Sequence, residues 1–522
     1  MNPAQAFLDV CKTTPERLAI VERGGKNIDR GTLLRRVYGL ANHLRSQGIQ
    51  KGDRILIQVP PGIDLTITVL AVMWIGGVVV LLEGGVGDTV YLNRAEKVKP
   101  KWLIVHSTLL WIHRIPGART MLSWFEIAVP PLPKATTTIQ LTPKILKTES
   151  QPNVGTVFHQ EDDALIVFTG GTTKTPKCVR FGCVALEHFL THIHHVVGQR
   201  QIESFLADTP PQVLYALKMG YTAYINKGQK KKRALSMLTF IEQGSIDACF
   251  TSPYLWMELI RMGKLRTLPA SLHTILLGSA PVTRDFLQKL TAFTSKGTSV
   301  ISIYGMTEVG IIGYIDAAHK ISWQGDGDLV GEIVPGVQVT LKDVHPQTKV
   351  GEICVQSPSL YRGYLGRHPR GNASLSTGDL GKWTNVNGRI MMVLAGRLKD
   401  MIIRNGFNLY PQTYETQILT TLRQQGGADL VRQCAMVGVW NPERADEDVI
   451  LFVEWASDKR QDAKWLLSVS TRVCGIQAQP DYCFGLRQFP VTGRQNKLDK
   501  KALRHKASLL LQRDPDGGYQ HG

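Results

Sequence analysis

None of the eight cysteines falls in a CxxC pair, so neither a disulfide framework nor a cysteine zinc site is indicated, and a reducing, cytoplasmic setting is expected. The amino end, MNPAQAFLDVCKTTPERLA, lacks a basic leader followed by an apolar core, so no secretory signal is expected. The most membrane-like run, Leu65 to Leu82, is broken by Gly76 and Gly77; it reads as a buried helix feeding a core strand, not a membrane span. Internal repeats and low-complexity tracts are missing as well. Acidic residues are in deficit: 43 Asp and Glu face 61 Lys and Arg, a formal net charge of +18. That balance favours anionic partners such as nucleotides, a peripheral contact with an anionic membrane surface, or nucleic acid. No RNA-binding or helix-turn-helix signature and no basic stripe with interleaved aromatics is present, so nucleic acid is not expected. With 43% hydrophobic and 20% charged residues over 522 positions, the chain is an ordinary folded protein of two or more domains.

What is there is organised around Ile166 to Val179, IVFTGGTTKTPKCV. An apolar strand pattern, Ala164 to Phe168, stops at Thr169, Gly170, Gly171, Thr172 and Thr173, where bare backbone and hydroxyls can approach and donate to phosphate oxygens. Lys177 adds a point charge. The mononucleotide-loop ending Gly-Lys-Ser/Thr is absent, because Pro176 precedes that lysine and Cys178 follows it.

Upstream, strand patterns (Leu18 to Val21, Arg54 to Val59, Val78 to Leu82) alternate with amphipathic stretches. Thr32 to Gln47 puts Leu33, Leu34, Val37, Leu40, Ala41 and Leu44 on one helical face. Such alternation implies a mostly parallel sheet covered on both faces. Residues 130–153, rich in Pro, Thr and Lys, read as a surface connector. His188, His192 and His195 share a helical face and read as helix-packing residues bordering a substrate cavity rather than as metal ligands. Lys227 to Arg233 (KGQKKKR) reads as a solvated basic loop.

Further on, strand patterns end in small or hydroxyl-bearing turns, the places where open α/β sheets bind ligands. Thr274 to Leu277 ends at Gly278, Ser279, Ala280 and Pro281, and Val300 to Tyr304 ends at Gly305, Met306, Thr307 and Glu308. Gly331 to Tyr364 reads as short strands with turns, followed by Ser376, Thr377, Gly378 and Asp379, where a carboxylate after a strand can accept from both hydroxyls of a ribose. Lys497 lies in PVTGRQNKLDKKAL, Pro490 to Leu503, as one cation among several.

These stretches, in this order, resemble the signatures of the adenylate-forming superfamily of acyl-CoA synthetases, firefly-type luciferases and nonribosomal adenylation domains. The loop resembles Thr-Ser-Gly-Thr-Thr-Gly-x-Pro-Lys-Gly, departing at Gly170, Lys174 and Cys178, the last of which puts a side chain where the family keeps bare backbone. Tyr304 to Glu308 matches Tyr-Gly-x-Thr-Glu in full. Gly396 to Glu415, GRLKDMIIRNGFNLYPQTYE, resembles Gly-Arg-x-Lys-Asp-x-Ile-x-x-x-Gly-x-x-Ile-x-Pro-x-x-x-Glu, and the tail resembles Pro-x-Thr-x-x-Gly-Lys-x-x-Arg-x-x-Leu with Asn496 in place of Gly. The resemblance implies ATP on the Thr169 to Lys177 loop, Gly278, Ser279 and Ala280 lining acyl and adenine pockets, and Tyr304 beside adenine, with Gly305 and Met306 in the same segment. It implies further that Thr307 contacts the α-phosphate, Glu308 holds Mg2+, Asp379 takes the ribose, and Arg397 reaches ribose or phosphates. Lys399 would be a hinge, Gly406 would line the thiol channel, and Lys497 would neutralise charge at the reacting phosphate.

The fold expected is α/β. A large N-terminal domain (1–398) of mixed and parallel sheets flanked by helices, with a small β-rich subdomain, precedes a small mobile α+β C-terminal domain (399–522). The function expected is ATP-dependent ligation of a carboxylic acid, giving acyl-AMP and then a thioester with CoA or with the phosphopantetheine of a carrier protein. Apolar segments such as CFTSPYLWMELI favour a fatty or other hydrophobic acid, Asp247 being the one charge there that could pair an α-amino group. The alternatives are a stand-alone adenylation enzyme loading a carrier protein and a degenerate member that binds nucleotide without turnover, for which Lys174, Cys178 and Asn496 speak.

Overall fold

The computed structural model describes residues 2–82, 88–124, 129–134, 137–151, 154–168, 177–198, 201–226, 230–243, 246–367, 373–404, 407–426, 430–441, 446–456, 463–492 and 497–513. The expected site residues Thr169, Gly170, Gly171, Thr172, Thr173 and Gly406, and the departures Lys174 and Asn496, lie outside the described residues. The chain divides into two compact units, one of residues 1–321, 334–337 and 357–373, the other of residues 322–333, 338–356 and 374–522.

The first unit contains two sheets. In one, Leu165–Phe168, Val78–Val80, Arg54–Gln58, Trp102–His106 and Thr137–Leu141 run parallel, and Cys178–Phe181 and then Gly363–Tyr364 close one side antiparallel. In the other, Leu18–Glu22, Thr222–Ile225, Ser204–Ala207, Ala248–Thr251, Thr274–Leu277 and Ser299–Met306 are parallel neighbours, with Gly310–Asp316 antiparallel beside the last. Strands of three to five residues that are buried throughout need covering helices. The core of the second sheet accordingly packs Met237, Ile241, Trp256, Leu259 and Leu287 from helices onto Leu206, Cys249 and Ile275.

The periodic stretch expected as a helix forms Arg30–Ser46, started by Asp29, whose carboxylate accepts from the Thr32 N–H at 2.7 Å, and all six expected face residues are buried. Each fully buried leucine on that face contributes about 1.5–3 kcal/mol. The uncharged run becomes the buried helix Ile63–Trp74 followed by the strand Val78–Val80, and no helix among the described residues is long and apolar enough to cross a membrane. Residues 130–153 are not merely a connector: Thr137–Leu141 pairs along Trp102–His106, with Ile139 and Leu141 buried. A β-branched run, TTTIQL, carries the period of two that its Pro and Lys neighbours obscure. The basic run is likewise not all loop. Its last residues open the helix Lys230–Glu242, and Arg233 turns inward onto Asp208 at 2.6 Å.

The second unit joins the antiparallel strands Gln338–Lys342, Gly351–Gln356, Leu375–Val386, Arg389–Arg397 and Asp328–Ile333. It also holds the sheet Val431–Asn441, Asp446–Trp455 and Tyr482–Leu486. Helices Pro411–Gly426 and Ala463–Ala478 cover one face of that sheet through Ile418, Leu422, Leu466 and Val469, and Leu503 and Ala507 of Lys500–Arg513 cover the other. This is the α+β arrangement expected of the carboxy-terminal part.

Candidate active site

In the first unit, the parallel strands Ser204–Ala207, Ala248–Thr251, Thr274–Leu277 and Ser299–Met306 all point their carboxyl ends the same way. Those ends carry Asp208, Ser252, Gly278 to Pro281, and Gly305 to Glu308, so the two small-residue turns singled out in the sequence share one edge. A crevice outside the carboxyl ends of such strands is the general ligand site of open α/β sheets. Asp247 falls on the opposite edge, where its carboxylate accepts from the Glu203 and Ser204 N–H groups at 2.7 and 2.9 Å. It ties two strand starts together and is withdrawn as a partner for a substrate amino group.

Gly278 is buried, Ser279 is exposed, and Ala280 is partly exposed. Ser279 adopts φ +68°, a left-handed conformation that a residue with a side chain holds at a cost of about 1–3 kcal/mol. Such a turn brings backbone N–H groups to the surface directly after a strand, and strained residues of this kind gather at ligand sites. Thr283 Oγ1 then accepts from the Phe286 N–H and starts the helix Arg284–Thr291.

Gly305 and Met306 remain within the strand rather than beyond it, paired with Ile311 and Gly310 across a register shift at Tyr304/Gly305. The tip is therefore Thr307 to Val309. Thr307 is exposed, whereas Glu308 is only 5% exposed and Tyr304 is 9% exposed. A buried carboxylate requires partners. Glu308 finds one in the Tyr364 hydroxyl, which donates to Oε1 at 2.9 Å, while its carbonyl accepts from the Tyr361 N–H at 2.8 Å. Burial, with the Glu308 carboxylate beside it, holds the Tyr364 phenol far above its ordinary pKa, so it stays a donor. Lys177, the first described residue after the Gly/Thr-rich loop, is exposed and places Nζ 4.9 Å from the centre of the Tyr364 ring; Arg367 lies 5.8 Å from the same ring. Tyr364 was read only as part of a turn-rich β segment. The one sign of it in the sequence is a pair of tyrosines flanking Arg-Gly in YRGY.

Cys178 pairs with Phe168 in the strand and is 1% exposed, packed with Leu56, Val80 and Ile166. Strand alternation turns its side chain into the core, and burial pushes the thiol pKa up to about 11. The side chain by which position 178 departs from the family pattern therefore lies in the core. His192 is 3% exposed, with Nδ1 unpartnered, and burial followed by the neighbouring His188 pulls its pKa down to about 4. His195 faces Tyr314 Oη at 3.2 Å. Among the described residues no group of three or more His, Cys, Asp or Glu is arranged to hold a metal.

In the second unit, Asp379 lies inside the strand Leu375–Val386 and not after it. It is cross-strand partner to Arg397, and its carboxylate meets the guanidinium at 3.0 Å. Asp379 is 7% exposed, whereas the Arg397 side chain is 56% exposed, so the pair shows its cationic end to solvent. Lys399 sits in the 3-10 turn Leu398–Asp400, and its carbonyl accepts from Arg504 at 3.0 Å. Burial first, and then the nearby Arg397 and Arg504 charges, lower the Lys399 pKa, against the opposing pull of Asp400. Lys497 is exposed in a two-residue strand, Lys497–Leu498, paired with Val491–Thr492. Three residues on, Lys500 donates to Glu415 Oε1 at 2.5 Å, and the same carboxylate accepts from the Met436 N–H, anchoring the base of that hairpin.

A family model described as "AMP-binding enzyme" matches residues 7–365. Feruloyl-CoA synthase from Amycolatopsis sp. is 26% identical over 509 residues, covering 91% of this chain and 93% of that protein. Among solved structures, ATP-bound MatB from Rhodopseudomonas palustris superposes with a TM-score of 0.78 at 20% identity, over 98% of this chain and 100% of that one. The o-succinylbenzoate coenzyme A synthetase MenE from Bacillus subtilis, in complex with ATP and magnesium ion, gives 0.74 at 19% identity, over 96% of this chain and 99% of that one.

Proposed function

The chain belongs to the AMP-binding enzyme family, and on that premise we propose that it activates a hydrophobic carboxylic acid with ATP and passes the acyl group to the thiol of CoA. The observation that carries this reading is the strand tip that sets exposed Thr307 beside buried Glu308 at the carboxyl edge of the sheet. In the first step a carboxylate oxygen attacks the α-phosphorus of ATP, the bond to the bridging oxygen of the β-phosphate breaks, and pyrophosphate leaves. In the second, the thiol sulfur attacks the acyl carbon and AMP departs with the electron pair. An ionised carboxylate needs no strong base, so the demands are orientation and charge stabilisation.

Each residue then has a task of that kind. Thr307 donates to an α-phosphate oxygen. Backbone N–H groups of the Gly278 to Ala280 turn and of the Thr169 to Lys177 loop hold phosphate or adenine, Tyr304 borders the base, and Asp379 accepts from the ribose with Arg397 beside it. Glu308 suits Mg2+: it is an oxygen ligand, buried, with Oε1 taken by Tyr364 and no donor to Oε2 among the described residues. The cation, when bound with ATP, offsets negative charge on the phosphates. Lys497 adds charge at the reacting phosphate. The segment 399–522 acts as a mobile domain pivoting at Lys399, with the Gly406 segment serving the thiol step.

For the acid, the apolar segments of the chain support a hydrophobic side chain. Relatives named feruloyl-CoA synthase and 2-succinylbenzoate–CoA ligase support an aromatic acid within the fatty or other hydrophobic class expected from sequence. ATP–pyrophosphate exchange across a panel of aromatic and fatty acids, followed by thioester formation with CoA, tests the reading. Exchange with at least one acid and CoA-dependent AMP release are expected, and no exchange with any of them would overturn it.

A further inference from the structure

We propose that Tyr364 is a positioning residue for the adenylation step: its hydroxyl fixes the Glu308 carboxylate for a divalent cation, and its ring links that carboxylate to Lys177. The inference rests on the reading of Glu308 as the Mg2+ ligand and goes beyond it, because Tyr364 touches neither cation nor nucleotide in this role.

The segment 361–365 is strapped on both sides. Toward the Gly/Thr-rich loop, Gly363 and Tyr364 pair with Arg180 and Val179, the Arg362 N–H donates to the Arg180 carbonyl at 2.8 Å, and the Leu365 N–H donates to the Cys178 carbonyl at 2.9 Å. Asp163 bridges the same two strands, accepting from Arg180 at 2.8 Å and from Arg362 at 2.7 Å. Toward the strand tip, Tyr361 N–H and Tyr364 Oη hold the carbonyl and the carboxylate of Glu308, and Ser359 Oγ donates to the Val309 carbonyl at 2.7 Å. The strand leaving the loop and the turn carrying Thr307 and Glu308 are thus joined through one short piece of chain. The Tyr361 ring packs against that of Tyr364 at 4.9 Å between centres, tilted by 55°, which restrains the phenol.

The chemistry of the contact is specific. An untethered glutamate has three rotatable bonds, and a metal ligand works only when its outer partner holds one orientation. The phenol hydroxyl donates to Oε1 at 2.9 Å and so leaves Oε2 for the cation. The same ring presents its negative face to Lys177, which attracts the ammonium group and holds it beside the loop. A tyrosine that merely filled space would need neither the hydroxyl contact nor the cation above it, and phenylalanine would serve equally well.

The test is calorimetric titration of ATP into the full-length protein, without acid, at graded Mg2+ and in EDTA. In Y364F the ring and its contact with Lys177 persist and only the hydroxyl is lost. The Mg2+ concentration at half effect is expected to rise roughly ten- to a hundredfold, the usual cost of losing an outer-shell partner, while ATP binding in EDTA stays within about twofold. E308Q is expected to shift the midpoint on its own, and adding Y364F to E308Q is expected to change it little, since the hydroxyl acts through the carboxylate. A wild-type midpoint in Y364F beside a shifted one in E308Q overturns the role of Tyr364 and leaves the metal reading standing. An unshifted E308Q overturns the metal reading, and this inference with it. Fully additive shifts in the double variant show general loosening and overturn the positioning role even if Y364F is less stable than wild type.

Discussion

Gly305→Ala gives the sharpest mutational test of the strand tip, because the structure sets its consequence before any kinetics are measured. A Cβ at position 305 would stand 2.1 Å from the Gly310 carbonyl oxygen, 3.0 Å from its carbon and 3.2 Å from the Ile311 Cα, all of them backbone. No rotamer relieves such a clash. Bringing the first distance to the 3.0 Å below which real contacts essentially do not occur takes about 0.9 Å of separation, and reaching an ordinary carbon-to-oxygen contact of about 3.3 Å takes somewhat more. Gly310 is itself held in the antiparallel ladder opposite Met306, so its carbonyl recedes only by disturbing that pairing. The displacement therefore passes into the tip, Thr307 to Val309.

A misplacement of about 1 Å at reacting groups costs roughly a hundredfold in rate, and overpacking of this kind destabilises by about 1–3 kcal/mol. ATP–pyrophosphate exchange in Gly305→Ala should thus fall by about two orders of magnitude, with a melting temperature lower by several degrees. Gly278→Ala is the matched control, because its Cβ would meet the Phe250 ring at 3.0 and 3.3 Å, a side chain that can yield. It should keep most of its exchange activity and change chiefly the preference among acids. Exchange within about threefold of wild type in Gly305→Ala would refute the argument that this hairpin is rigid and that its tip does the work.

Lys497→Ala should reduce ATP–pyrophosphate exchange by about a hundredfold or more, the cost of one preorganised charge partner; exchange near wild type counts against the assignment. Lys399→Pro stiffens the turn Leu398–Asp400 and should slow thioester formation more than adenylation, each followed by its own single-turnover assay, so equal losses argue against a pivot there. His192 should make the fold acid-sensitive: its pKa drops from 6.5 to about 4 on burial. Above pH 6.5 both states are neutral and nothing is lost. Between about 6.5 and 4 the unfolded chain takes up a proton that the native one refuses, so stability falls with pH by up to roughly 3 kcal/mol. His192→Gln, which can still donate to the Pro335 carbonyl, should lose less stability between pH 7 and pH 5 in denaturant melts, and an identical loss in both proteins removes the histidine as a cause.

Much of the framework was legible because it depends on local periodicity. The face Leu33 to Leu44 announces its helix, and Thr274 to Leu277 and Val300 to Tyr304 announce strands through continuous apolar runs closed by small residues. Composition misled where one role overlay another. Proline and lysine around TTTIQL hid a strand, and a run of positive charge hid Arg233, whose side chain is only 16% exposed and pairs with Asp208. Asp379 was placed beyond a strand because Thr-Gly-Asp looks like a turn, yet Gly378 takes φ +74° inside the ladder and the strand continues. Tyr364 was missed for a different reason. Its partner lies 56 residues away, and a contact between a phenol and a distant carboxylate leaves no periodic trace.

The departures from the family pattern bear on whether the chain turns over or only binds. Cys178 was the departure with a clear steric meaning, a side chain where bare backbone is usual. In the fold that side chain is 1% exposed among Leu56, Val80 and Ile166, on the core side of a strand. A buried thiol there contributes packing, much as a small hydrophobic residue would. Meanwhile the strand-end residues proposed to serve the reaction are built firmly in place: Glu308 is held at both its carbonyl and its carboxylate, and Ser279 keeps a strained φ at the same sheet edge. Strain and a buried carboxylate each cost stability. Their joint presence at the carboxyl ends of the strands is better accounted for by turnover than by a retired site.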